Sequence, residues 1–218
     1  MRACATTLDS ELSENELQYI TGLMKSEGLT DQHLEIGTAA GGTLWRLMQS
    51  YPDESRPQFV VVDPMTYFEN QQALVKDNLR QHNLDAESVD FRVGKSYELF
   101  KQALDKGEQY DFIFIDGSHK YRYVMKDLCW TRLLRPGGVL CMHDYHVNTS
   151  GVIKAADWFL RRYNNYRKLD LIDTLMVIKK EKLSDHKEVG RLNMLMASIS
   201  GFLMQLKSSI KKRLASKH

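Results

Sequence analysis

The chain has 218 residues, a net charge of +2, and 43% apolar and 27% charged residues, which suits one globular domain with a sizeable core plus an appendage. That balance gives no global basis for nucleic-acid binding, so no nucleic-acid partner is expected. Cys4, Cys129 and Cys141 show no C-x-x-C spacing and are odd in number, which argues against a disulfide framework and for buried, inert thiols.

No stretch approaches the roughly 18 apolar residues of a spanning helix, and no basic segment with a long apolar run opens the chain. A cytoplasmic protein is expected. Residues Ser13 to about Glu27 predict a first helix: Ser13 and Glu16 have capping-box spacing, Leu12 and Leu17 can form a hydrophobic staple, and Leu17, Ile20 and Met24 form one stripe before Gly28. This helix carries no visible chemistry.

A short strand, His33–Ile36, runs into Gly37-Thr38-Ala39-Ala40-Gly41-Gly42-Thr43 and a helix over Leu44–Ser50. Strand, glycine-rich turn and helix start make a nucleotide-type element, because glycines admit close backbone approach and the helix start offers unpaired N–H donors. The G-x-x-x-G-G spacing is neither the dinucleotide fingerprint nor a phosphate loop. A nucleoside with a small zwitterionic tail fits better, with Glu35 available to its cationic amine; a tight structural turn is the plain alternative.

Phe59–Val62 is a second buried strand, ending in Asp63, 26 residues after Gly37. A doubly wound fold places its ribose-binding carboxylate there; capping of the next helix is the alternative. A helix over Asn70–His82, a strand around Val89–Val93 ending in Gly94-Lys95-Ser96, and a helix over Tyr97–Asp105 follow. Asp111-Phe-Ile-Phe-Ile-Asp116 is an apolar strand closed by Asp116-Gly-Ser-His119. Ligand crevices lie beyond the carboxyl ends of such strands, so Asp116 and His119 should project into a site.

Tyr123–Leu133 reads as helix, Arg135-Pro-Gly-Gly138 as a turn, and Val139–Met142 as a strand ending in His143-Asp144-Tyr145-His146. After a polar loop over Val147–Ser150 come a helix over Val152–Tyr163 and strands Tyr166–Leu171 and Thr174–Ile178, an expected antiparallel pair. The alternation predicts an α/β, doubly wound, Rossmann-like sheet of seven mostly parallel strands with helices on both faces.

Glu35-Ile-Gly37-Thr-Ala-Ala-Gly41-Gly42-Thr43, Asp63 and Leu134-Arg-Pro-Gly-Gly138-Val-Leu together resemble the motifs of class I S-adenosylmethionine (SAM)-dependent methyltransferases, over about Leu12 to Lys179. Phe114-Ile-Asp116-Gly-Ser-His119-Lys-Tyr121 with His143-Asp144-Tyr145 is similar to the bacterial subgroup of macrocin-type sugar O-methyltransferases and cephalosporin-hydroxylase-like proteins. The resemblance implies that Glu35, Gly37, Thr38, Ala39, Gly41, Gly42 and Thr43 hold the methionine part of SAM. It places Asp63 at the ribose and Gly94-Lys95-Ser96 beside adenine, with His119 also at the cofactor and Asp116, a catalytic candidate, as the pivot between SAM and metal. Many relatives carry an acid at or beside Lys95 for the adenine amine; this chain does not, leaving Ser96 or backbone groups.

Asp116 and Asp144 would end neighbouring strands about one strand spacing (~4.8 Å) apart. With His143 alongside they suit a divalent metal such as Mg2+; a metal-free, hydrogen-bonding role is the competitor. His119 is the expected general base, with adenine stacking or helix capping as its rival, and His143 is a second catalytic candidate. The expected activity is methyl transfer to a hydroxyl of a sugar, glycan or other small metabolite. A SAM-binding regulator without turnover, or a hydroxylase-like or N-methylating relative, is the alternative.

The expected domain ends near residue 180. Beyond a charged linker, Leu192, Leu195, Met196, Ile199, Phe202, Leu203, Leu206, Ile210 and Leu214 form a helical stripe beside Arg191, Lys207, Lys211, Lys212, Arg213 and Lys217. A homodimer helix, or a peripheral anchor over 191–218 at the inner face of the membrane, is the expected use.

Overall fold

The computed structural model describes residues 9–181 and 188–190, with 193, 196 and 199 beyond them. Cys4 and most of the C-terminal stripe lie outside these residues.

The first helix, α1 (Glu14–Ser26), starts at Ser13 with both arms of the capping box made. Strand β1 (Gln32–Ile36) leads through the glycine turn into α2 (Gly42–Gln49). Then follow β2 (Gln58–Asp63), α3 (Gln71–Gln81), β3 (Asp90–Val93), α4 (Ser96–Asp105) and β4 (Tyr110–Ile115). The second half contains α5 (Tyr121–Asp127), β5 (Leu134–Met142), α6 (Ser150–Arg162), β6 (Tyr166–Ile172) and β7 (Leu175–Lys180).

The seven strands lie in the order β3-β2-β1-β4-β5-β7-β6. β1 pairs in parallel with β2 and β4, and β7 runs antiparallel to both β5 and β6. Strand order reverses between β1 and β4, where an open α/β sheet places its ligand crevice.

Alternate side chains of each strand feed two cores. Leu34, Ile36, Val60, Val62, Ile113 and Ile115 pack with α4, α5 and α6, whereas Phe59, Val61, Phe112 and Phe114 pack with α1, α2 and α3. At the amino end of the strands His33 is a buried structural residue, with Nδ1 2.9 Å from Asp111 and Nε2 2.9 Å from the Tyr51 hydroxyl.

Two stretches differ from expectation. The expected Tyr123–Leu133 helix is α5 followed by a 3-10 segment over Leu128–Leu133. Leu128, Cys129, Trp130, Thr131 and Leu133 are all buried, too many in succession for one apolar stripe of an α-helix. Arg135-Pro-Gly-Gly138 does not separate two elements but forms a bulge inside β5. Leu134 pairs with Tyr110 and Val139 with Phe112, so four residues stand opposite Asp111 alone. Gly137 takes φ 83, and a Cβ at Gly138 would sit 2.9 Å from the Asp111 carbonyl oxygen.

Packing continues past β7 among the described residues. Val189 is buried in the core that α4, α5 and α6 cover, and Lys180 is buried with Nζ bonded to the Thr131 carbonyl and to Glu188. Cys129 and Cys141 are buried thiols outside any disulfide. No helix among the described residues is long and apolar enough to cross a membrane.

Candidate active site

A cavity of about 930 Å3 opens over the carboxyl ends of β1, β2 and β4, near the upper end for small-molecule sites. Its floor is the turn after β1. Gly37 has φ 85, and a Cβ there would lie 2.4 Å from the Asp116 carbonyl oxygen, so only glycine lets the ends of β1 and β4 meet. Thr38, Ala39, Gly42 and Thr43 line the cavity with it.

Gly41 is used differently. It is the left-handed cap of α2, and a Cβ on it would meet Val75 of α3 at 2.8 Å. Residues 9–12 cross above this turn: a Cβ on Gly42 would meet the Asp9 carbonyl, and Ser10 and Thr43 share a 2.8 Å hydroxyl bond.

Glu35 projects from β1 into the cavity wall at 3% exposure, and its Oε2 has no hydrogen-bond partner. Burial pushes this carboxyl up to about 8; the Thr38 side chain opposes the rise, and the charges of Asp116 and Asp63 add to it. Such an orphaned acid suits a cationic group brought by a ligand.

Asp63, at the end of β2, also faces the cavity. Its carboxylate accepts from the backbone N–H of Thr38 (3.1 Å) and of Met65 (2.6 Å). The cap of α3 is Asn70, so Asp63 does not cap that helix. The Gln71 side-chain amide adds a longer third contact at 3.4 Å; these donors fix the carboxylate's orientation and leave acceptor capacity for a ligand hydroxyl.

The β3–α4 turn and the β4–α5 turn form the far end. Lys95, Ser96 and Tyr97 line one side, Gly117 and Ser118 the other. Ser96 Oγ accepts from the Trp130 indole N–H at 3.0 Å, and the Ser96 hydroxyl favours the ionised form of the buried Asp127 carboxyl.

At the ends of β4 and β5, Asp116, His143 and Asp144 come together, with one candidate ligand atom from each lying within 4.8 Å of the others. His143 Nδ1 is 3.3 Å from Asp116 Oδ1 and 4.0 Å from Asp144 Oδ2, yet it makes no aligned hydrogen bond and is buried. Burial pulls the His143 imidazolium down, but Asp116, Asp144 and Glu16 more than reverse this, so it titrates above an ordinary histidine.

Asp144 has φ 59, a conformation sparsely populated outside glycine. Its Oδ2 lies 2.7 Å from His119 Nε2. His119 itself is 48% exposed on that side chain and lines the cavity, whereas His143 and Asp144 stand behind it.

Two residues near the site escape sequence reasoning. Glu16 completes the α1 capping box, but it also bonds Thr174 and places Oε2 3.7 Å from His143 Nε2. Asp127 sits within a helical pattern whose only local signal is one acid among apolar residues. Neither spacing nor periodicity reveals what stands opposite it.

Residues 34–145 match the family model described as a methyltransferase domain. The chain belongs to the methyltransferase-domain family. The matched span begins in β1 and ends just beyond β5, so it includes Glu35, the glycine turn, Asp63, Ser96, Asp116, His119, His143 and Asp144 but not Glu16.

The chain is 26% identical over 132 residues to uncharacterized protein R132 of Acanthamoeba polyphaga mimivirus, matching 59% of this chain and 57% of that protein. The chain therefore spans little more than half the length of that curated relative. A Staphylococcus aureus protein assigned as a caffeoyl-CoA O-methyltransferase superposes with TM-score 0.63 at 20% identity, covering 80% of this chain and 86% of the other. An O-methyltransferase from Bacillus cereus, solved with S-adenosylhomocysteine (SAH), gives TM-score 0.59 at 19% identity over 78% and 83%. TomG from Streptomyces achromogenes, an O-methyltransferase solved with SAM, gives 0.60 at 16% over 78% and 82%. These likenesses show the class I methyltransferase fold.

Proposed function

We propose that the methyltransferase uses SAM to methylate a hydroxyl of a sugar, glycan or other small metabolite. The observation that carries this reading is Glu35, a buried carboxyl with an orphaned oxygen beside a glycine turn, where the amine of a zwitterionic methionine tail would complete it. Asp63, preset by two backbone donors, is the acceptor for ribose hydroxyls. The SAM and SAH complexes of two structural neighbours support the same cofactor here.

The methyl carbon of a sulfonium is already activated, so the protein's task is to align a hydroxyl and remove its proton. His119 performs the second step. Asp144 engages its Nε2, which leaves Nδ1 as the atom that takes the proton, and the carboxylate then stabilises the imidazolium.

Asp116, His143 and Asp144 also fit a divalent cation. Two carboxylates and a buried imidazole nitrogen without an aligned partner form a donor set for Mg2+ or, given the imidazole, Mn2+. When bound, the cation would neutralise the carboxylates and acidify a nearby hydroxyl.

A screen of sugar nucleotides and other small hydroxylated acceptors with methyl-labelled SAM, with and without EDTA, tests the reading. Label transferred to an acceptor oxygen, lost in EDTA and restored by Mg2+, is expected. Transfer to nitrogen would contradict the O-methylation. Full activity in chelator, with Asp144→Ala tolerated, would remove the metal from the account.

A further inference from the structure

We propose that Asp127 reads the adenine ring of the cofactor, its carboxyl accepting a hydrogen bond from the exocyclic amine. The inference rests on the SAM reading and adds a residue that neither the motif pattern nor the family resemblance assigns.

The relevant end of the cavity lies between two turns, one carrying Lys95, Ser96 and Tyr97, the other Gly117 and Ser118. Asp127 is the last residue of α5 and lines the cavity between these turns. The position beside Lys95, where an acid would serve adenine, holds Ser96 instead, and Ser96 is already committed. Its Oγ accepts the Trp130 indole N–H at 3.0 Å, and its hydroxyl also acts on the Asp127 carboxyl, favouring the charged form. The serine thus orients an acid rather than contacting the ring.

Gly117 keeps that acid open to the cavity. A Cβ at this position would stand 3.7 Å from Asp127 Oδ2, so a larger side chain would cover the carboxyl. Burial pushes Asp127 up to about 7, and neither the Ser96 hydrogen bond nor the Lys126 charge cancels that effect. A buried acid held without ion pairing is unfavourable for folding alone and marks a ligand contact when it lines a cleft. An adenine amine supplies the N–H donor that this carboxyl lacks, and specificity follows because an unpaired buried carboxyl penalises a base without it.

Calorimetric titration of the full chain with SAH and with S-inosylhomocysteine, which has a carbonyl oxygen in place of the amine, tests the assignment. Wild-type protein should bind SAH at least about tenfold tighter than the inosine analogue. Asp127→Asn should weaken SAH binding by about tenfold or more and flatten or reverse the preference, because an amide can donate to the carbonyl. The ligand-free melting temperature of the variant should equal or exceed that of wild type.

Equal losses of both ligands in Asp127→Asn, or no loss of either, would overturn the assignment and leave SAM binding intact. Wild-type protein that binds both ligands equally overturns it even if the variant does not fold. Wild-type protein that binds neither ligand overturns the cofactor reading and this assignment together.

Discussion

Glu35 and His119 carry opposite kinds of information about the site. The glutamate is a group that folding leaves unsatisfied, and the histidine is one that folding has already paired. Glu35 has an ordinary value of 4.5 unfolded and about 8 folded, so the folded state holds its proton more tightly. Its contribution to stability is full below pH 4.5 and is lost as pH rises toward 8. The melting temperature of the ligand-free enzyme should therefore fall across that window. Glu35→Gln should raise it at pH 8 by several degrees, at about 2–4 °C per kcal/mol for a domain of this size. The same variant should lose SAH affinity by about tenfold or more in calorimetry, because the ammonium loses its charged acceptor.

For His119, Ala substitution should lower turnover by about 10²–10⁴-fold while SAH affinity stays unchanged; affinity lost along with turnover would assign it to stacking instead. Asp63, Asp116 and Asp144 were legible as site residues because each closes an apolar strand, and strand ends define the crevice. Asp127 and Glu16 were not, because their significance lies in groups 31 and 127 positions away, at Ser96 and His143.

Among the elements, the β1–α2 connection has the least freedom. Gly37 touches the backbone of β4, Gly41 packs on α3, and Gly42 underlies the Asp9 carbonyl. Ala at position 37 must accept a positive φ and a 2.4 Å approach to the Asp116 carbonyl. We expect Gly37→Ala to lower stability by about 2 kcal/mol or more in denaturant unfolding and to spread β1 from β4. A change below about 0.5 kcal/mol would mean that the two strand ends are not in contact in solution.

Elements with clean periodicity were legible nearly to the residue, α1 above all, since Ser13 and Glu16 encode its start. Two elements were not. The glycines of Arg135-Pro-Gly-Gly138 signal a change of direction but not that the ladder resumes on both sides of it, and the run Leu128–Leu133 is buried all round, which hides its 3-10 geometry from a helical stripe.

For the whole molecule, alternating strands and helices with acids at three strand ends made the doubly wound class legible, while the order β3-β2-β1-β4-β5-β7-β6 and its switch point between β1 and β4 are set by packing that alternation does not encode. The far end of the chain was less legible. Beyond the boundary expected near residue 180, Val189 is buried and Glu188 pairs with the buried Lys180, contacts that periodicity in this charged stretch does not reveal. Of the C-terminal stripe, Met196 and Ile199 are helical and exposed.

We propose that residues 191–218 bind anionic membrane surfaces. The full chain should co-sediment with liposomes containing acidic lipid, less so at high salt, and a chain ending at residue 190 should not. Equal binding of the two would leave the segment to self-association.

Calorimetric titration of the purified enzyme with SAH tests the central claim most directly. The account predicts saturable one-to-one binding that Glu35→Gln weakens sharply. No binding of SAH, or tight binding of NADH in its place, would contradict it.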